Sequence, residues 1–197
     1  MMKRALLAFA ISTPLLLGAC SSSDATDIAG NPDPALVERA NAIGAAVDSW
    51  GAAATLPEAK AAAEAALNLV VGPSGPSYGD LDGDGVVQGM SDTGLLPGLM
   101  GEEGLAQSPP IDACVEADVL GGSWDDPGAR WDAAAAVYGA WTPSNNTMPT
   151  LASHPQRIVG WATLTLATDS LDEAHAYAGY AQIHVDVSLS AIEGCSR

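Results

Sequence analysis

Four helix-start signals, each followed by apolar residues at helical spacing, commit this chain to an α-helical fold. Asp33-Pro34 pairs an N-cap with a proline suited to the first turn. Thr55-x-x-Glu58, Ser153-x-x-Gln156 and Ser170-x-x-Glu173 are capping boxes, in which a hydroxyl and an acid or amide exchange hydrogen bonds with the first free backbone N–H groups. After Asp33, residues Leu36, Ala40, Ile43, Val47 and Trp50 recur at alternating four and three. After Thr55 the stripe is Ala59, Ala63, Ala66, Leu67 and Val70, stopped by Gly72-Pro73. Ile158, Trp161, Ala162 and Thr165 follow the third signal. Leu171, Ala174, Ala178, Ala181, Val185, Leu189 and Ile192 follow the fourth, to about Glu193.

Between these helices the pattern changes. Residues 72 to 108 are rich in Gly, Pro and Asp with short apolar pieces, and an irregular stretch of that length in a compact domain is usually functional or organised by a metal. Ser108-Pro109-Pro110 then starts a short helix carrying Cys114 and ending at Gly121-Gly122. Asp126-Pro127 opens another with Trp131, Ala134, Ala135, Tyr138 and Trp141 on its inward side. Residues 163 to 168 and 183 to 189 alternate like strands but lie inside capped helical windows, so they are read as helix. The expected architecture is all-α. It is an up-and-down bundle of about five helices in one domain, residues 33 to 197, with one long Gly/Asp-rich loop insertion at 72 to 108.

The insertion contains Asp80-Leu81-Asp82-Gly83-Asp84-Gly85-Val86. Carboxylates at every second position, then glycine, suit a coiled loop that delivers alternate side chains to one hard cation. The run resembles the calcium loop of EF-hand and dockerin proteins. That resemblance implies Ca²⁺ held by Asp80, Asp82, Asp84 and the Val86 carbonyl. The twelfth position should carry an acid but is Ser91, and Asp92 stands one residue later. Asp92 is therefore the expected closing ligand, through a one-residue bulge, with water as the alternative. The segment 72 to 79 is too rich in Gly and Pro to be an entering helix, so the site resembles the loop-only calcium sites of secreted bacterial proteins. The longer pattern, from Leu67 to Gly72, Tyr78 to Gly85 and Gly94 to Pro97, resembles an element of exported bacterial helical proteins of no assigned activity.

The N-terminus carries Lys3 and Arg4, an apolar run from Ala5 to Leu17, and then Leu17-Gly18-Ala19-Cys20. The run is too short for a membrane span and has the layout of a secretory signal. It resembles the lipobox of bacterial lipoproteins. The resemblance implies a signal peptide at 1 to 19, lipidation of Cys20 by a diacylglyceryl thioether with an acylated (palmitate-type) amine, and attachment to the membrane through lipid. Residues 20 to 32 read as the lipidated cysteine and a flexible tether. Ser21, rather than Asp, follows Cys20, which in a Gram-negative host resembles sorting to the periplasmic face of the outer membrane.

Loss of Lys3 and Arg4 with the signal takes the formal charge from −17 to −19. The remaining basic residues are Arg39, Lys60, Arg130, Arg157 and Arg197, scattered along the chain, so nucleic-acid binding is excluded on electrostatic grounds. With Cys20 lipidated, Cys114 and Cys195 remain as a pair in an oxidising compartment, and a disulfide is expected. It would close about 80 residues and stabilise by about 4 kcal/mol in the chain-entropy view.

Catalytic signals are sparse. No HExxH, GxSxG or CxxC occurs, and Asp172-Glu173-Ala174-His175 spells a helicase box without any phosphate loop to serve it. His175 and His184 lie nine residues apart on one helix, which puts them about 180° apart, so they cannot hold one ion together. His154 lies at a helix start before Pro155 and could meet one of them, with Asp172, Glu173 or Asp186 nearby, though nothing in the sequence requires it. Trp124, Trp131, Tyr138 and Trp141 read as a core stripe before a carbohydrate platform. The expected function is a lipid-anchored, calcium-binding, non-enzymatic interaction module with a protein or polysaccharide partner. The alternatives are a periplasmic transition-metal-handling protein using the histidines and an envelope-polymer hydrolase.

Overall fold

A computed structural model describes residues 32–194. The expected signal peptide, Cys20 and Cys195 lie outside the described residues. Five α-helices follow in order: α1 (Pro34–Gly51), α2 (Leu56–Val71), α3 (Pro127–Ala140), α4 (His154–Ala167) and α5 (Leu171–Ile192). No β-strand occurs among the described residues, only an isolated bridge between Thr142 and Asn145. No described helix is long and apolar enough to cross a membrane.

The helix starts fall where the capping residues put them. Asp33 accepts the Ala35 N–H, Thr55 accepts from Glu58, Ser153 from Gln156 and Ser170 from Glu173. Each such cap contributes about 1 kcal/mol by satisfying an N–H that the helix itself leaves free. The apolar stripes then decide which helices meet. α1 packs on α2 and α5, and α4 packs on the same two, which closes a four-helix ring. Trp50, Ile43, Leu67, Val70 and Ile158 lie at its centre, each at most 2% exposed. α3 stands outside the ring and packs on α4. Ala135, expected inward, is exposed, because burial of α3 is confined to the narrower face of Trp131, Ala134 and Tyr138.

The short helix around Cys114 is real but wound differently. Val115–Leu120 is a π-helical turn, ended by Gly121 at φ 65°, a left-handed conformation that glycine adopts without a Cβ clash. It packs on α5 and α4. Cys114, at its start, is disulfide-bonded. The expected pairing with Cys195 reaches beyond the described residues.

Three described arginines, Arg39, Arg130 and Arg157, staple this frame through carbonyls. Arg39 donates to the carbonyls of Leu69 (3.1 Å) and Thr93. Arg130 donates to Ser123 O (2.6 Å), Gly121 O (3.0 Å) and Leu120 O, with its guanidinium 4.2 Å from the centre of the Trp124 ring. Arg157 donates to Leu151 O from Nε at 2.8 Å. Five fixed donors in a planar fork suit the guanidinium to gather carbonyls left over at helix ends and turns.

Candidate metal centre

The segment from Gly72 to Gly104 contains no helix, yet it is not loosely held. Leu95 N–H donates to Leu69 O (3.2 Å) and Leu96 N–H to Val70 O (3.1 Å), so the segment satisfies the carbonyls that α2 leaves open at its C-terminal end. Leu95 and Leu96 are each 1% exposed. The Trp131 indole N–H donates to Pro97 O at 2.9 Å and ties α3 to the same segment. Gly89, at φ 67°, lies so close to α2 that a Cβ there would stand 2.3 Å from Ala65 O.

Two fully buried polar residues of α2, Glu64 and Asn68, organise the acidic loop. Glu64 Oε2 accepts the N–H groups of Leu81 (2.6 Å) and Asp82 (3.1 Å), and Oε1 accepts that of Gln88 (2.7 Å). The Asn68 carboxamide donates to Gly79 O (2.9 Å) and Gln88 O (2.7 Å) and accepts from Gly79 N–H (3.0 Å). Entry and exit of the loop are thus fixed to one helix face, four residues apart.

Inside the loop each acid receives backbone N–H groups. Asp80 accepts from Gly83 (2.8 Å) and Gly85 (2.9 Å), Asp82 from Asp84 (3.0 Å), and Asp84 from Val86 (2.7 Å). Carboxylate oxygens of Glu64, Asp80 and Asp82 lie within 4.8 Å of one another. Burial pushes the Asp82 carboxyl above its ordinary range; the Asp84 N–H opposes this, and the charges of Asp84, Glu64 and Asp80 add to it. Three carboxylates this close repel one another unless a proton or a cation lies between them.

Of the residues expected from sequence, Asp80 and Asp82 are brought together; Asp84 and Asp92 stand outside that group. The charge of Asp92 acts on Arg39, whose guanidinium donates to the carbonyls of Leu69 and Thr93. Val86 presents its side chain outward, 53% exposed. Glu64 was not among the expected ligands. Its signal was present: Glu64 and Asn68 are spaced by four on the flank of an otherwise apolar stripe, where polar residues need a partner.

The three histidines fall into two settings. His175 Nε2 lies 2.9 Å from Ala53 O, beside the α1–α2 turn. His154 and His184 meet, with Nδ1 atoms 3.0 Å apart and ring centroids 5.0 Å apart. The aromatic stripe serves packing: Trp124, Trp131 and Tyr138 are each at most 8% exposed. An apolar cleft of about 440 Å³ lies beside α3 and α4, and its lining carries no carboxylate, imidazole or thiol. No protein-family model, curated protein or solved structure matches the chain.

Proposed function

We propose that this chain is an exported lipoprotein, anchored through Cys20, whose helical domain binds one structural Ca²⁺ in the loop 80 to 88 and serves as a non-enzymatic interaction module. The ligands are Asp80, Asp82, Asp84 and the Val86 carbonyl, with Glu64 supplying from α2 the carboxylate assigned from sequence to Asp92. The observation that carries this reading is Glu64: a carboxylate at 0% exposure, grouped with Asp80 and Asp82. Glu64 is buried with its oxygens bonded to three backbone N–H groups, Asp82 is half-buried and Asp80 exposed; a cation would offset the charge these three carboxylates concentrate, and hard oxygen donors in this number suit calcium. The export reading rests on Leu17-Gly18-Ala19-Cys20.

The interaction role is supported by what the same segment exposes. Val86, Met90, Leu99 and Met100 are all exposed, Met90 at 74% and Met100 at 88%. Methionine adapts to varied apolar partners, and calcium would hold its carrier loop in one shape. Calcium titration of the full-length chain in mild detergent, followed by calorimetry, tests the reading. One saturable site lost in Glu64→Gln and in Asp82→Ala supports it, and heat of dilution alone overturns it.

A further inference from the structure

The strongest feature outside the acidic loop is the meeting of His154 and His184. Three elements build it: α4, α5 and the π-helical turn. His154 is the first residue of α4, and the preceding Ser153 hydroxyl donates to Val119 O at 2.7 Å, which fixes the start of α4 against the π-helical turn. His184 comes from the middle of α5. Asp118 comes from the π-helical turn, near enough for its charge to act on His154. Single π turns are rare and are frequently found at functional sites.

We propose that His154 and His184 form a chelating pair for a divalent transition-metal ion of the copper–zinc class, bound through both Nδ1 atoms. The separation fits. Two nitrogens on one tetrahedral zinc stand about 3.3 Å apart, from bonds of about 2.0–2.1 Å. Adjacent nitrogens on a square-planar copper stand about 2.8 Å apart. The observed 3.0 Å lies between the two. Imidazole nitrogen selects such ions over calcium, which takes oxygen, so the two metal sites differ in donor chemistry as well as in the elements that carry them.

Without metal, the contact holds one proton: one Nδ1–H donates to the lone pair of the other ring. On binding, that proton moves to Nε2 of its own ring through solvent, both Nδ1 lone pairs face the ion, and no net proton is released. Ligation needs neutral rings. Burial lowers the affinity of His184 for a proton, to a pKa of about 4, and the neighbouring His154 and Arg157 add to this. Burial and Arg157 lower His154 as well, against the opposing charge of Asp118. Burial thus favours the neutral rings that ligation needs. Asp118 offsets part of the ion's charge, while Arg157 opposes it, so micromolar rather than tighter affinity is expected.

The test is titration of Zn²⁺ and Cu²⁺ into the full-length chain, without a histidine tag, in detergent and with millimolar Ca²⁺ present to occupy the acidic loop. One equivalent should bind, with affinity falling at least about tenfold in His154→Gln and in His184→Gln and unchanged in His175→Gln. Equal binding by the parent and by a variant carrying both His154→Gln and His184→Gln, or no uptake by the parent, overturns the proposal. Should either variant fail to fold, ¹⁵N spectra of the parent's ring nitrogens decide. Zinc should shift Nδ1 of His154 and His184, and shifts confined to His175 or to Nε2 positions would refute the pairing.

Discussion

Asn68 holds Gly79 from both sides: its Nδ2 donates to Gly79 O at 2.9 Å and its Oδ1 accepts Gly79 N–H at 3.0 Å. A buried carboxamide here replaces the backbone partner that a strand or helix would have given Gly79, and this is how an irregular loop is joined to a helix without unpaired polar groups. Asn68→Ala removes both bonds and the one to Gln88. It is expected to cost about 2–3 kcal/mol, because partners remain buried and unsatisfied. Urea unfolding of parent and variant in EDTA measures the loss, which is separate from any metal effect.

Asp82→Ala should act in opposite directions with and without calcium. In EDTA the variant removes one of three crowded carboxylates and should be at least as stable as the parent. In millimolar Ca²⁺ it should show no stabilisation, with helicity unchanged by circular dichroism. Asp84→Ala should likewise abolish the calcium response.

Arg39→Ala strands the carbonyls of Leu69 and Thr93. A loss of about 2 kcal/mol is expected, alike in calcium and in EDTA. A loss seen only in calcium would make Arg39, or its neighbour Asp92, part of the metal site.

Alkaline pH should destabilise the domain through Tyr138. Burial pushes its hydroxyl well above the usual range, and that hydroxyl donates to Gln156 O at 2.7 Å. Above pH of about 10 the unfolded chain releases this proton and the folded one keeps it, so the folded state binds more protons and stability falls as pH rises. Tyr177, raised chiefly by burial, acts in the same direction. The slope from one such group approaches about 1.4 kcal/mol per pH unit. Tyr138→Phe should reduce the slope between pH 10 and 11 in chemical denaturation, at a cost of about 1 kcal/mol at neutral pH.

The helices were legible because their signals are local. Thr55 with Glu58 and Ser153 with Gln156 announce helix starts within four residues, and the stripe from Ala59 to Val70 fixes the face that is buried. Winding was less legible: nothing in Val115–Leu120 separates a π turn from an α turn, because the difference is set by packing against α4 and α5. The acidic loop was legible as Asp80, Asp82 and Asp84 at spacing two. Its helical partner was not, since Glu64 stands sixteen residues before Asp80, and periodicity cannot say which side chain the loop folds back upon. Nor could the spacing of the histidines show that α4 begins beside the middle of α5 and so brings His154 to His184.

The central claim is that the loop at 80 to 88, closed by Glu64, is a calcium site. Thermal unfolding of the full-length chain in detergent, in EDTA and then in 10 mM Ca²⁺ or Mg²⁺, tests it most directly. With affinity at about 10⁻⁴–10⁻³ M, typical of extracellular sites, calcium should stabilise by about 1–3 kcal/mol, a midpoint rise of several degrees. Magnesium should do less, and Glu64→Gln should lose the response. Identical midpoints in EDTA and in calcium would contradict the claim.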